Sequence, residues 1–185
     1  MVGASAGGID AMMAIFSGLP ANYPLPIIAL LHIPEHHESR LAEVFQHRLA
    51  IPVRDAVDKE DIKAGTLYFA SAGYHLSIEQ DRTFSYSCEP PVHFSRPSID
   101  ILMQSAADTY GEHLAGILLT GANFDGAAGM HYIKQQGGLT IVQDPQQAQV
   151  ATMPSEAIKQ QVPDFILPLA DIHSMLLLAG ETIAE

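Results

Sequence analysis

Two runs of apolar residues, Pro26-Ile-Ile-Ala-Leu-Leu31 and Ala115-Gly-Ile-Leu-Leu119, constrain this chain more than any other feature of it. Neither alternates apolar with polar residues, as a strand with one wet face would. A strand-length run that is apolar throughout is covered on both faces, the usual state of a parallel strand between layers of helices. Parallel neighbours need crossover connections, so helical patterns must lie between the strands. They do. Apolar residues at 9, 12, 13 and 16 share one helical face, ended by Gly18 and Pro20. Leu41, Val44, Phe45 and Leu49 mark a second helix; Ile99, Leu102, Met103, Ala106 and Tyr110 mark a third, with Pro97 near its start. Further helices are expected over 127–136, 154–161 and 171–179, and further strands over 139–142 and 165–167. The stretch from Leu67 to Ser87, with Gly73 and the polar Glu79-Gln80-Asp81-Arg82, reads as a β-hairpin insertion. The fold class is α/β: one domain over 1–185, a largely parallel sheet, helices on both faces, right-handed crossovers.

Composition removes several function classes. At 48% apolar and 16% charged residues, the chain can bury a core and is not disordered. A net charge of −12, with nine Lys plus Arg and no basic cluster, argues against nucleic acid as a partner. Cys88 is the sole cysteine, so no intrachain disulfide or CxxC site exists. The longest nearly pure apolar run, 25–33, falls short of the ~20 residues of a membrane span, and no secretory leader is visible. A cytoplasmic location without membrane insertion is expected.

The opening Gly3-Ala-Ser-Ala-Gly-Gly8 marks a sharp strand-to-helix turn. As a dinucleotide fingerprint it lacks the second glycine, replaced by Ser5, and the acidic residue expected after the second strand, where His32 stands. As a nucleophile elbow, G-x-S-x-G at Gly3, Ser5 and Gly7 lifts a serine hydroxyl beside a helix N-terminus able to bind an oxyanion. Ser5 could equally serve as a plain N-cap, and the motif alone leaves both open. Only Met1 and Val2 precede it, so the first strand is very short or the sequence is cut from a longer chain.

His32 follows the strand ending at Leu31, on the same rim of a parallel sheet as Ser5. It also begins H-x-x-E-H, a zinc-hydrolase pattern, but Pro34 interrupts the helix that zinc ligation requires and no third ligand stands out. His36 and His37 are expected on the solvated start of the next helix. Asp125, in the loop after strand 115–119, reaches the same rim; a helix N-cap is its simpler role, and Asp144 after strand 139–142 is the rival acid. Ser, His and Asp loops on one edge make room for a triad. The order Ser5, His32, Asp125 is not the Ser-Asp-His order of α/β-hydrolases, which would need His131 or His173, neither well placed.

Five blocks, Gly3–Gly8, His32-Ile-Pro34, Arg96-Pro-Ser-Ile-Asp100, Leu119-Thr-Gly121 through Asp125-Gly-Ala-Ala-Gly129, and Met153-Pro-Ser-Glu-Ala157, together resemble the catalytic domain of the chemotaxis protein-glutamate methylesterase (CheB) family. The resemblance implies a doubly wound α/β domain that hydrolyses γ-glutamyl methyl esters on the cytoplasmic methylation helices of methyl-accepting chemoreceptors. It also implies glutamine deamidation in some members. Carried over by position, Ser5 is the nucleophile, His32 the general base and Asp125 the orienting acid, with no cofactor or metal. The family's T-G-M-G-N-D-G loop reads Thr120-Gly-Ala-Asn-Phe-Asp-Gly126 here, and the Thr after the serine is Ala6. The usual upstream receiver domain is not part of the sequence. An inactive receptor-binding module and a nucleotide-binding domain are the competing expectations.

Overall fold

A computed structural model of the protein describes residues 1–32 and 40–184. Strands β1 (Val2–Ala4), β2 (Ile27–Leu31), β3 (Val53–Asp55), β4 (Leu67–Phe69), β7 (Ala115–Leu118), β8 (Leu139–Gln143) and β9 (Phe165–Leu167) form a seven-stranded sheet in the order β3-β4-β2-β1-β7-β8-β9. Every pairing in it is parallel. A separate antiparallel hairpin joins β5 (His75–Ile78) to β6 (Phe84–Ser87). Helices α1 (Gly8–Phe16), α2 (Leu41–Gln46), α3 (Ile99–Tyr110), α4 (Ala127–Gln135), α5 (Thr152–Gln160) and α6 (Leu169–Ala184) flank the sheet; the first five lie in connections between its strands, while β3 runs to β4 through a loop.

The apolar strands divide their side chains between two cores by strict alternation. In β2, Ile27, Ala29 and Leu31 enter one core with Met12, Ile15 and Phe45 of α1 and α2. Ile28 and Leu30 enter the other, with Leu102 and Met103 of α3 and Met130 of α4. Both faces of β2 are thus dry, as its unbroken apolar run requires.

Three expectations need correction, and one strand, β3, has no counterpart in the sequence analysis. Leu67–Phe69 belongs to the main sheet rather than to the hairpin, because its three buried side chains pair in parallel register with β2 and β3. The strand β3 has only Val53 fully buried and gives almost no periodic signal. The α1 face buries Gly8, Ala11, Met12, Ile15 and Phe16, while Ile9 is exposed beside the cleft described below. In α2 the buried residues are Leu41, Ala42 and Phe45, and Val44 faces outward. His36, His37 and the Glu35 of the zinc-like pattern lie outside the described residues. Among the described residues no helix is long and apolar enough to cross a membrane.

Candidate active site

Ser5, His32 and Asp125 follow β1, β2 and β7, which are neighbours in the order β2-β1-β7. The chain builds its sheet on one side of β1 before crossing to the other, so the site lies where the connections change direction, the usual place for a ligand in such a sheet. The backbone ladder extends past the strand ends and fixes the rim: His32 N–H donates to Ala4 O at 3.1 Å and Ser5 N–H to Thr120 O at 3.0 Å. The Thr120 hydroxyl then bonds the carbonyl of Ala6 at 2.9 Å, tying the serine turn to the Asp125 loop.

The turn is an elbow. Gly7 occupies the N-cap of α1 at φ 79°, a left-handed conformation that favours glycine, and a Cβ there would lie 2.5 Å from Gln149 Oε1. The cap has no side-chain hydrogen bond, so Ser5 is not the helix cap. Among the described residues the Ser5 hydroxyl has no hydrogen-bond partner, and the N–H groups of Ala6 and Gly7 have no acceptor. Ser5 lines a shallow cleft of about 310 Å³ with Gly7, Ile9, His32 and Gln149. A second, apolar cavity of about 230 Å³, between Tyr23, Leu25 and Leu114, lies at the other end of the strands, remote from these groups.

His32 Nε2 lies 2.8 Å from Asp125 Oδ2. Asp125 is completely buried and accepts four hydrogen bonds: His32 Nε2–H and Ile99 N–H (2.7 Å) at Oδ2, Ser98 Oγ–H (2.8 Å) and Asp100 N–H (3.0 Å) at Oδ1. Two of those donors are the first N–H groups of α3, where the helix dipole favours an anion. Burial works to raise the Asp125 carboxyl, but the hydrogen bonds from His32, Asp100 and Ile99 outweigh it and hold the group below the ordinary carboxylate range. Asp125 is therefore a carboxylate, and His32 carries its proton on Nε2. The other ring nitrogen, Nδ1, accepts a 3.3 Å hydrogen bond from the Asn123 side-chain amide, which also reaches Ser95 Oγ. Ser5 and His32 share the cleft without a hydrogen bond between them.

Other candidates do not converge here. Asp144 caps its own turn, accepting from Gln146 N–H at 2.9 Å. His131 bonds Gln135 on the exposed side of α4, and His173 of α6 bonds Ile15 O of α1 through its Nδ1. Among the described residues no cluster of three His, Cys, Asp or Glu could hold a metal ion.

The sequence reading missed Ser98, Asp100, Asn123 and His93. Asp100 is buried, and its Oδ1 accepts from Gly126 N–H (2.9 Å) and Gly129 N–H (2.6 Å), at the head of α4. Its Oδ2 lies 3.4 Å from His93 Nε2, and the His93 ring packs against Phe124. Burial first, then the charge of Asp125, push the Asp100 carboxyl up to about 6. Ser98 and Asp100 both sit in the Arg96–Asp100 block, where a Ser before an apolar helical pattern signals an N-cap; that cap is present, as a 3.5 Å bond from Ile101 N–H to Ser98 Oγ.

Residues 1–176 match the family model described as CheB methylesterase. The chain is 42% identical over 177 residues to a putative protein-glutamate methylesterase/protein-glutamine glutaminase of Leptospira interrogans, covering 96% of this chain and 92% of that protein. It is 38% identical to a protein-glutamate methylesterase/protein-glutamine glutaminase of Methanospirillum hungatei, covering 95% of this chain but 50% of that longer protein. The fold is similar to the crystal structure of the Thermotoga maritima CheB methylesterase catalytic domain, with a TM-score of 0.91, 29% identity and 96% of each chain covered.

Proposed function

The chain belongs to the CheB methylesterase family, and on that premise we propose that residues 1–185 act as a serine hydrolase that removes methyl groups from γ-glutamyl methyl esters of chemoreceptors in the cytoplasm. The observation that carries the reading is a buried carboxylate bonded to His32 at 2.8 Å, on the rim that presents an unengaged Ser5 hydroxyl.

The chemistry runs through three groups. Asp125 fixes the ring with Nε2 protonated, so Nδ1 is the basic nitrogen. When substrate enters, the Asn123 amide yields Nδ1, which takes the Ser5 proton as the hydroxyl attacks the ester carbonyl. The N–H groups of Ala6 and Gly7, without an acceptor among the described residues, lie on the turn that carries Ser5, suited to the developing oxyanion; one such donor is worth ~3 kcal/mol. The imidazolium gives its proton to the departing methanol. Water then attacks the acyl-enzyme by the same route and leaves a glutamate carboxylate. An amide in place of the ester would release ammonia, the glutaminase reaction named for the relatives.

Methanol release from methyl-labelled chemoreceptor membranes, compared with Ser5→Ala, tests this reading. Release that disappears with Ser5 supports it. Receptor binding without release by either protein would instead favour an inactive binding module.

A further inference from the structure

Asp100 has no part in that scheme, yet its backbone N–H donates to Asp125 and its carboxylate accepts from the N–H of Gly126, the residue after Asp125. The heads of α3 and α4 exchange acids. Asp125, just before α4, accepts from Ile99 and Asp100 N–H on α3, while Asp100, on α3, accepts from Gly126 and Gly129 N–H on α4. Each carboxylate closes the other helix. Gly126 N–H is the group next to Asp125, so the bond from it to Asp100 pins the turn from which Asp125 reaches His32.

Two buried carboxylates on adjoining helix heads repel each other, and helix closure alone does not require both charges. An asparagine at 100 could accept the same two N–H bonds through its oxygen at no electrostatic penalty. A charge retained there acts on its neighbours. We propose that Asp100 is a positioning residue of this site, locking the turn that carries Asp125 and placing behind it a second negative charge that favours the imidazolium form of His32. The catalytic consequence rests on reading His32 as the general base; the electrostatic claim does not.

The repulsion falls on Asp100 because Asp125 has four donors and a helix terminus to hold its charge, whereas Asp100 has two N–H donors and the His93 imidazole at 3.4 Å. The titratable groups around Asp100 are few. His93 faces it from the preceding loop, Asp125 from the β7–α4 loop, and His32 lies beyond Asp125. His75 of β5 accepts from Ser98 N–H, and Arg96 directs its guanidinium at the carbonyls of Cys88 and Glu89. Asp125 links the two residues, accepting from His32 Nε2–H and from Asp100 N–H.

The test is an NMR titration of the His32 imidazole in the parent and in Asp100→Asn, with thermal unfolding as the check on folding. The expected result is a His32 midpoint lower by ~0.5–1 pH unit in the variant, as follows from removing a nearby opposite charge. An unchanged midpoint in a folded Asp100→Asn protein overturns the proposal. Should the variant not fold, carboxyl ¹³C titration of the parent decides. Asp100 must then titrate near 6 and His32 must inflect at the same pH, whereas curves without a shared inflection overturn the coupling. These readings need no substrate, so a protein without esterase activity would refute the proposed function and leave this inference standing.

Discussion

Asp125→Asn should damage stability and catalysis together, by amounts that follow from its four hydrogen bonds. An asparagine keeps one oxygen. If that oxygen serves Ser98 Oγ–H and Asp100 N–H, the new amide nitrogen meets two donors, Ile99 N–H and His32 Nε2–H. The imidazole can change tautomer; the backbone N–H cannot. A buried N–H left without an acceptor costs about 1–3 kcal/mol, and the remaining bonds lose their charge assistance. Relief of repulsion with Asp100 offsets part of this, leaving a loss of ~3 kcal/mol. For a chain of this size that lowers Tm by ~6–12 °C. The tautomer change moves the ring proton to Nδ1, the nitrogen assigned as base, so the rate should fall by ~10⁴, the size of the equivalent change in serine-protease triads. The pH dependence gives a further check. The folded carboxyl lies below its unfolded value, so its stabilisation is complete above the unfolded pKa and disappears as pH falls through the folded one. The Tm gap between parent and variant must therefore be full at pH 7 and shrink below ~4. Melting curves from pH 3 to 8, beside methanol release at pH 7, measure both effects. A variant within ~2 °C of the parent at pH 7, or a gap that widens on acidification, would rule out this role for Asp125.

Three further outcomes follow from other contacts. Asn123→Gly removes the amide that occupies His32 Nδ1, so kcat/KM should rise ~5-fold, the equivalent of one neutral hydrogen bond; a fall would mean that Asn123 assists the reaction instead. Gly126→Ala puts a Cβ on a φ of 99° and 2.5 Å from Leu118 Cδ1, and should lower stability by ~2 kcal/mol or more, read by denaturant unfolding. Asp100→Asn should be more stable than the parent at pH 8. The folded Asp100 carboxyl is raised to about 6, so its charging penalises the fold as pH climbs towards that value, and the variant's advantage should fade on acidification from about 6 to ~4.

The sequence displayed those parts of the fold whose cause is local. Unbroken apolar runs announced β2 and β7, and the small residues around Ser5 announced the turn after β1. The three-residue strands β3 and β4 are too short for periodicity to register, and their place is set by pairing with each other and with β2. The rim positions of Ser5, His32 and Asp125 followed from parallel strand direction, because every strand delivers its next residue to the same edge. What surrounds Asp125 did not follow. Ser98 and Asp100 reach it only because α3 and α4 meet head to head, a tertiary fact with no trace in either helix's own pattern. Asn123 likewise looked like a change in a loop, and its bond to His32 depends on how that loop folds over the rim.

Esterase activity at this site requires that Ser5 be a nucleophile activated by His32. Mass spectrometry of the protein after reaction with a fluorophosphonate tests it most directly, because only an activated serine is phosphonylated quickly. One adduct per chain is expected, on the peptide containing Ser5, absent in Ser5→Ala and formed far more slowly in His32→Gln. No adduct, or an adduct on another serine, would contradict it.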